Sequence, residues 1–265
     1  MHLHAIQYGD LSKKEPSSVH SLIILHGLFG NYRNWQPIAR SLAQQQTVYS
    51  LDLRNHGQSE HDDCMDYPTM AEDVLSFIQD KQLKSVNIIA HSMGGKVAML
   101  LALSYPQVVN KLVVVDIAPV SYQHDFSSVL EAFQAIPLDH IQSRQEADNY
   151  LSSILSDQYL RQFLLQNLMQ KDGQYYWRLN LVAIRQSIES LIAFPDSKHY
   201  CPFKKKVLFI GGGQSDYLSK ENQQKTKKLF PKASFSMIKS AGHWLHTEQT
   251  ELFKALIQPY LKNET

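Results

Sequence analysis

The segment Ala90-His91-Ser92-Met93-Gly94-Gly95 constrains this chain more than any other. The apolar run Ser85-Val86-Asn87-Ile88-Ile89 leads into it, and Lys96-Val97-Ala98-Met99-Leu100-Leu101-Ala102-Leu103 leads out. A β-type stretch therefore meets a helical stretch, with one serine at the junction. The helix must pack close against the strand, so the neighbours must be small. The tight turn then lifts the serine hydroxyl above the sheet edge, as in a G-x-S-x-G nucleophile elbow. Ala90 replaces the first glycine of that pattern and is still small. Ser92 could instead merely cap the next helix. The strand before it and the helix after it favour a presented nucleophile. Pro106 ends that helix, because proline cannot continue one.

Three further segments have the same strand-then-loop form. Leu22-Ile23-Ile24-Leu25 runs into His26-Gly27-Leu28-Phe29-Gly30, a Gly-rich turn able to aim a backbone N–H at a developing oxyanion. Val48-Tyr49-Ser50-Leu51 runs into Asp52-Leu53-Arg54-Asn55-His56-Gly57-Gln58-Ser59. Phe235-Ser236-Met237-Ile238 precedes Ala241-Gly242-His243-Trp244. A serine hydroxyl is a poor nucleophile unless a base takes its proton. His243 is the candidate base, and serine, acid, histidine is the expected chain order. His26 and His56 are expected to hydrogen-bond within their loops, and His246 to be a rim or structural residue. His91 adjoins Ser92, but strand neighbours point to opposite faces, so it is expected to pack away from the site. Two aspartates follow core strands and stay open as the acid: Asp116 after Leu112-Val113-Val114-Val115, and Asp216 in Gly211-Gly212-Gly213-Gln214-Ser215-Asp216. The oxyanion donors expected are the N–H of Met93, at the start of its helix, and that of Leu28, with Phe29 as the alternative. Asp52 and Arg54 read as loop architecture, with Arg54 in an ion pair rather than on an anionic substrate.

The motifs H-G-x-x-G, D-x-R-x-H-G-x-S, H-S-M-G-G and G-H-W, in this order and spacing, resemble the α/β-hydrolase superfamily. HGLFG, DLRNHGQS, AHSMGGK, VVVDIAPV and GHWLH are most similar to YbfF-type bacterial esterases, and the likeness covers nearly the whole chain. The resemblance implies an α/β fold with a mostly parallel sheet, helices on both faces and an inserted helical cap. It implies cleavage of small-molecule esters or thioesters through a Ser-His-Asp triad, without cofactor or metal. It favours Asp116 over Asp216 as the acid and suggests Ser215 as a further hydrogen-bond partner of His243.

The rest of the chain fits an enzyme of this kind. Strands are expected near 2–8, 20–25, 47–52, 86–91, 111–116, 206–211 and 233–238. Helices are expected near 34–45, 68–82, 93–104, 220–230 and 248–262, and such alternation means a mostly parallel, doubly covered sheet. Between Asp116 and Lys206 only helical periodicity is read: Val129, Leu130, Phe133 and Ile136, then Leu151, Ile154 and Leu155, then Phe163, Leu164 and Leu168, then Leu181, Ile184, Ile188 and Leu191. This predicts a core of 1–117 and 203–265 and a helical cap of 118–202. Trp177 and Arg178 of the cap, with Phe29 and Trp244, are candidates to bind substrate; the alternative for the cap pair is cap–core packing with one surface arginine. A net charge of +1 favours neither nucleic acid nor an anionic membrane surface. No signal peptide or bilayer span is read, and Cys64 and Cys201 give no disulfide framework, so a cytoplasmic location is expected. Twelve histidines occur, none in H-E-x-x-H or Cys/His metal spacing. Two other activities stay open. One is a lyase or carbon–carbon hydrolase, which would need cationic anchors such as Arg54 and Arg178. The other is a non-catalytic binding protein. Oligomeric state is not read from the sequence.

Overall fold

The computed structural model describes residues 1–9 and 20–262; the parts of the expected core at 10–19 and 263–265 lie outside the described residues. Seven strands form one sheet: β1 (Ala5–Tyr8), β2 (Leu22–Leu25), β3 (Val48–Leu51), β4 (Val86–His91), β5 (Val109–Val115), then β8 (Val207–Gly212) and β9 (Ala233–Ile238). A separate hairpin, β6 (Leu168–Lys171) and β7 (Gln174–Trp177), lies between β5 and β8 in the chain. The sheet order is β1-β3-β2-β4-β5-β8-β9. Within this sheet, among the described residues, only β1 runs antiparallel to its neighbour, pairing with β3; every other pair is parallel.

Strands buried on both faces read as continuous apolar runs, because helices cover both sides of a parallel sheet. Leu22–Leu25 is buried at all four positions. Ile23, Leu25, Ile88, Ala90, Leu112 and Val114 join the core on one face. Leu22, Ile24, Ile89, Val113 and Val115 pack on the other, against Trp35, Ile38, Phe253 and Ile257. The helix Met93–Ser104 is buried from Met93 to Leu103. A helix apolar all round belongs in the interior, and here that places the residues after Ser92 in the best-packed part of the molecule.

Parallel pairing aligns the strands' carboxyl ends. Leu25 pairs with Ala90, His91 with Val115, and Val115 with Ile210. The loops that follow β2, β4, β5, β8 and β9 therefore emerge along one edge. This is where a switch-point sheet gathers its chemistry.

The segment between β5 and β8, called the insertion below, departs from the all-helical expectation. Helices Ser127–Ala135, Arg144–Ser152, Gln158–Leu165, Leu181–Gln186 and Ile188–Ile192 are interrupted by the β6–β7 hairpin. Leu168, read as part of a helical stripe, pairs with Trp177 on a strand. Asp172 and Gly173 make the turn, at φ 50° and 83°. Positive φ at both central residues is the hairpin turn that Asp-Gly favours, and Tyr175, Tyr176 and Trp177 suit a strand. No described helix is long and apolar enough to cross a membrane.

Candidate active site

Ser92 takes φ 52° and ψ −119° between β4 and its helix. A non-glycine residue there stores about 1–3 kcal/mol of backbone strain, tolerated only where the surroundings over-determine it. The surroundings do. The Ser92 N–H donates to the Val115 carbonyl at 3.0 Å, and its own carbonyl accepts from Lys96 N at 3.1 Å. A Cβ at Gly94 would stand 2.5 Å from the His26 carbonyl oxygen, and one at Gly95 2.5 Å from Ile117 Cγ2. Both glycines exist because the helix start is pressed against the β2 loop on one side and the chain after β5 on the other.

His243 arrives on the loop after β9. The Glu248 carboxylate holds that loop, accepting from Gly242 N at 2.7 Å and Trp244 N at 3.1 Å. The ring Nε2 lies 3.1 Å from Ser92 Oγ, and Nδ1 lies 2.7 Å from Asp116 Oδ2. Asp116, at the end of β5 with φ 49°, is fully buried. Its Oδ1 accepts from Gly212 N at 2.9 Å, and its Oδ2 also accepts from Ser215 Oγ at 2.5 Å. An ionised carboxylate only accepts, so His243 Nδ1 carries the proton. The Nε2 lone pair then faces the serine hydroxyl. Asp216 sits on the same loop as Ser215 but is exposed. Ser215 touches the aspartate rather than the imidazole.

The histidines divide by tautomer. His26 Nδ1 donates to Gly27 O at 2.8 Å while its Nε2 accepts from Leu53 N at 3.0 Å. His56 Nδ1 donates to Arg54 O at 2.8 Å while its Nε2 accepts from Phe29 N at 3.1 Å. Each ring faces one carbonyl and one N–H, so each is neutral and in a fixed tautomer. Burial, together with each other's neighbourhood for His26, pushes His26 down to about 3 and His56 to about 4. The second bond matters for the site: the Phe29 N–H is spent on His56, so Phe29 does not stand in for Leu28 as an oxyanion donor.

His91 differs from expectation. Its ring is 4.6 Å from that of His243, and Nε2 donates to the His243 carbonyl at 2.9 Å. Strand alternation turns it off Ser92 but brings it under the histidine loop. Burial first, then His243 and His246, holds it well below the usual range. His246 stacks flat on Trp35 at 4.2 Å and is buried. Arg54 forms a two-pronged pair with Asp73, at 2.6 and 2.9 Å, away from the cavity.

A cavity of about 140 Å³ opens onto Ser92, His91 and His243. Leu28, Phe29, Phe126, Leu160, Phe163 and Trp244 give it apolar walls. Trp177 and Arg178 are not on these walls. The Trp177 indole packs edge-on against Phe133 at 4.8 Å and donates Nε1–H to the Phe133 carbonyl at 3.2 Å. Arg178 meets its neighbours through its backbone, donating to Asn167 O at 2.9 Å and accepting from His61 Nε2 at 3.0 Å. The hairpin explains both positions, since β7 turns Trp177 into the insertion's own core. Sequence reasoning missed Tyr217, whose ring stacks on His243 at 4.4 Å. It also missed Lys96, buried behind Ser92 at 2% exposure.

Comparison with known proteins now decides the family, because the alpha/beta hydrolase fold family matches residues 20–250. The chain belongs to the α/β-hydrolase family. The sn-1-specific diacylglycerol lipase ABHD11 of Xenopus laevis is 42% identical over 240 residues, covering 88% of this chain and 76% of that protein. Esterase YbfF of Escherichia coli (strain K12) is 33% identical over 245 residues, covering 91% and 93%. A solved marine microorganism esterase superposes with a TM-score of 0.91 at 36% identity, covering 97% and 98%. This α/β-hydrolase is an enzyme of the carboxylesterase type.

Proposed function

We propose that the protein hydrolyses carboxylic esters of small molecules through Ser92, His243 and Asp116. The observation that carries this reading is the continuous chain from Ser92 Oγ to His243 Nε2 at 3.1 Å and from Nδ1 to Asp116 Oδ2 at 2.7 Å. His243 takes the hydroxyl proton as Ser92 Oγ attacks the ester carbonyl, and returns it to the departing alcohol oxygen. The oxyanion rests on the Met93 and Leu28 N–H groups. Water, deprotonated by His243, then cleaves the acyl-serine and releases the acid. Asp116 fixes the imidazole tautomer, and Ser215 with Gly212 fixes Asp116. The insertion, residues 118–202, acts as a lid whose Phe126, Leu160 and Phe163 supply apolar walls.

A lyase or carbon–carbon hydrolase acting on a carboxylate would need cationic anchors. Arg54 is committed to Asp73 and Arg178 lies off the cavity, so ester cleavage fits this site better. The test is fluorophosphonate labelling. The wild type should be labelled and should turn over p-nitrophenyl esters, and a folded Ser92→Ala variant should do neither. Labelling that persists in Ser92→Ala removes the assignment.

A further inference from the structure

A second, smaller chamber meets the first at Ser92. It holds about 30 Å³, and Met93, Ile117, Tyr67, Leu191 and Lys96 are among its walls. The two chambers share Leu28, Ser92, His124, Phe126 and Tyr217. Among the described residues, His243 and Trp244 line only the larger one, whereas Met93 and Lys96 line only the smaller.

Lys96 lies one helical turn after Ser92. Its ammonium donates to Ile192 O at 2.6 Å and Ala193 O at 2.7 Å, with Leu191 O at 3.5 Å. These carbonyls end the lid helix Ile188–Ile192. The rings of Tyr122 and Tyr67 face the same ammonium at 5.0 and 5.5 Å. Tyr67 OH adds a bond to Leu191 O at 2.6 Å. The carboxyl end of a helix favours a cation, and three carbonyl acceptors match the three donors of an ammonium. Burial pushes this group down to about 7. Lys96 thus ties the lid to the nucleophile's own helix at the wall of the small chamber.

The proton path orients a substrate between the chambers. His243 must reach the leaving alcohol oxygen, so the alcohol lies on the His243 side, in the larger chamber. The carbonyl oxygen points at the Leu28 and Met93 N–H groups. The acyl group lies away from His243, on the side of Met93 and Lys96, which line the smaller chamber and not the larger. The smaller chamber holds about 30 Å³ against about 140 Å³ for the larger, so it takes the shorter arm of the ester.

Resting on the serine-esterase reading above, we propose that the substrates are esters of short acyl groups with larger apolar alcohols, and that Lys96 sets the acyl length by pinning the lid helix across the end of the acyl chamber.

Octyl acetate and ethyl octanoate are isomers of equal apolar content, with the long chain on opposite sides of the ester. The wild type should cleave octyl acetate with kcat/KM roughly tenfold or more above ethyl octanoate, the scale on which an overfilled pocket discriminates. In Lys96→Met, which keeps side-chain length and removes the charge, that ratio should shrink at least roughly threefold through a lower KM for ethyl octanoate. Leu191→Ala, which widens the chamber and leaves the ammonium in place, should shrink it too, and serves if Lys96→Met does not fold. A wild-type preference for ethyl octanoate overturns the orientation. A lower melting temperature with an unchanged ratio in both Lys96→Met and Leu191→Ala reduces Lys96 to a structural tie and overturns its role. Absence of both ester turnover and Ser92 labelling would instead overturn the esterase reading beneath it.

Discussion

The sheet edge and the insertion differ in how tightly position is enforced. At the edge, position is enforced by excluded volume: Gly94 and Gly95 have no room for a Cβ, and Ser92 and Asp116 both sit at positive φ. The insertion shares apolar packing with the core, Phe133 and Phe126 standing 5.3 and 6.1 Å from Phe29, and adds discrete polar ties. Asn167 Nδ2 donates to Phe29 O at 2.7 Å, Asn180 N to Asn55 O at 3.1 Å, and Lys96 to Ile192 O. Close-packed interiors resist continuous deformation, whereas a few hydrogen bonds of about 1 kcal/mol each can exchange. The edge therefore fixes reacting atoms, and the insertion can be remodelled to change what reaches them. Changes at the edge should cost rate; changes in the insertion should cost selectivity or modest stability.

The largest effect expected is from Ser92→Ala. It removes the proposed nucleophile and also relieves no packing, since alanine fits every contact the serine makes. A fall in kcat of roughly 10³-fold or more is expected with the unfolding midpoint nearly unchanged. A folded Ser92→Ala enzyme with wild-type turnover would break the comparison at its strongest point.

Next comes the acid. Asp116→Asn keeps the shape but presents an amide to His243 Nδ1, which favours the wrong tautomer, so kcat should fall by roughly 10²–10⁴. Asp216→Asn alters an exposed carboxylate and should leave kcat within about twofold, as surface changes away from the site usually do. Steady-state kinetics on both variants separates the two residues; equal losses would mean that His243 uses Asp216 in turnover.

How far these positions could be read in advance follows the same division. The core strands and the loops after them were legible because burial on both faces writes continuous apolar runs, and tight turns write glycine. Ser92 and His243 stand next to such signals. The choice between Asp116 and Asp216 was not legible from spacing, because both follow strands at one edge and differ only in side-chain direction. His91 was misplaced because alternation tells which face a residue takes but not which loop will cross that face. The β6–β7 hairpin had a signal in Asp172-Gly173 flanked by Leu168-Met169 and Tyr175-Tyr176-Trp177, masked by apolar spacing that also suited a helix. Lys96 and Tyr217 carried none, since their roles depend on which distant carbonyl or ring the fold delivers.

Acid should act on the edge before the insertion. His26, His56, His91 and His246 are buried and held below their unfolded value of about 6.5, chiefly by burial. Their folded pKa values are depressed, so the unfolded chain binds more protons than the native one below that value. Their neutral-state stability is intact above about pH 6.5 and is lost as pH falls, toward about 3 for His26 and His246 and about 4 for His56. Each contributes a slope of about 1.4 kcal/mol per pH unit within that window. Urea midpoints measured from pH 7 to 5 should drop steeply. His56→Gln should flatten the curve by one histidine's share; a flat wild-type curve would show that these rings protonate without cost.

The smallest effect tests the insertion directly. Trp177→Phe keeps an aromatic ring against Phe133 and removes the donation from Nε1 to the Phe133 carbonyl, 3.2 Å away, together with part of the indole's volume. That carbonyl loses one partner at a part-buried position, so the cost should be about 1 kcal/mol. The cavity walls do not include Trp177, and the ratio of kcat/KM between short and long esters should stay at the wild-type value. Phe163→Ala is the contrasting change, because Phe163 lines the larger chamber and approaches Trp244 at 5.8 Å. It should alter the preference among alcohols while leaving Ser92 reactive to a fluorophosphonate. If Trp177→Phe shifts substrate preference and Phe163→Ala does not, the hairpin reaches the substrate in turnover. The insertion would then act through a rearrangement of its own core rather than through the walls it presents.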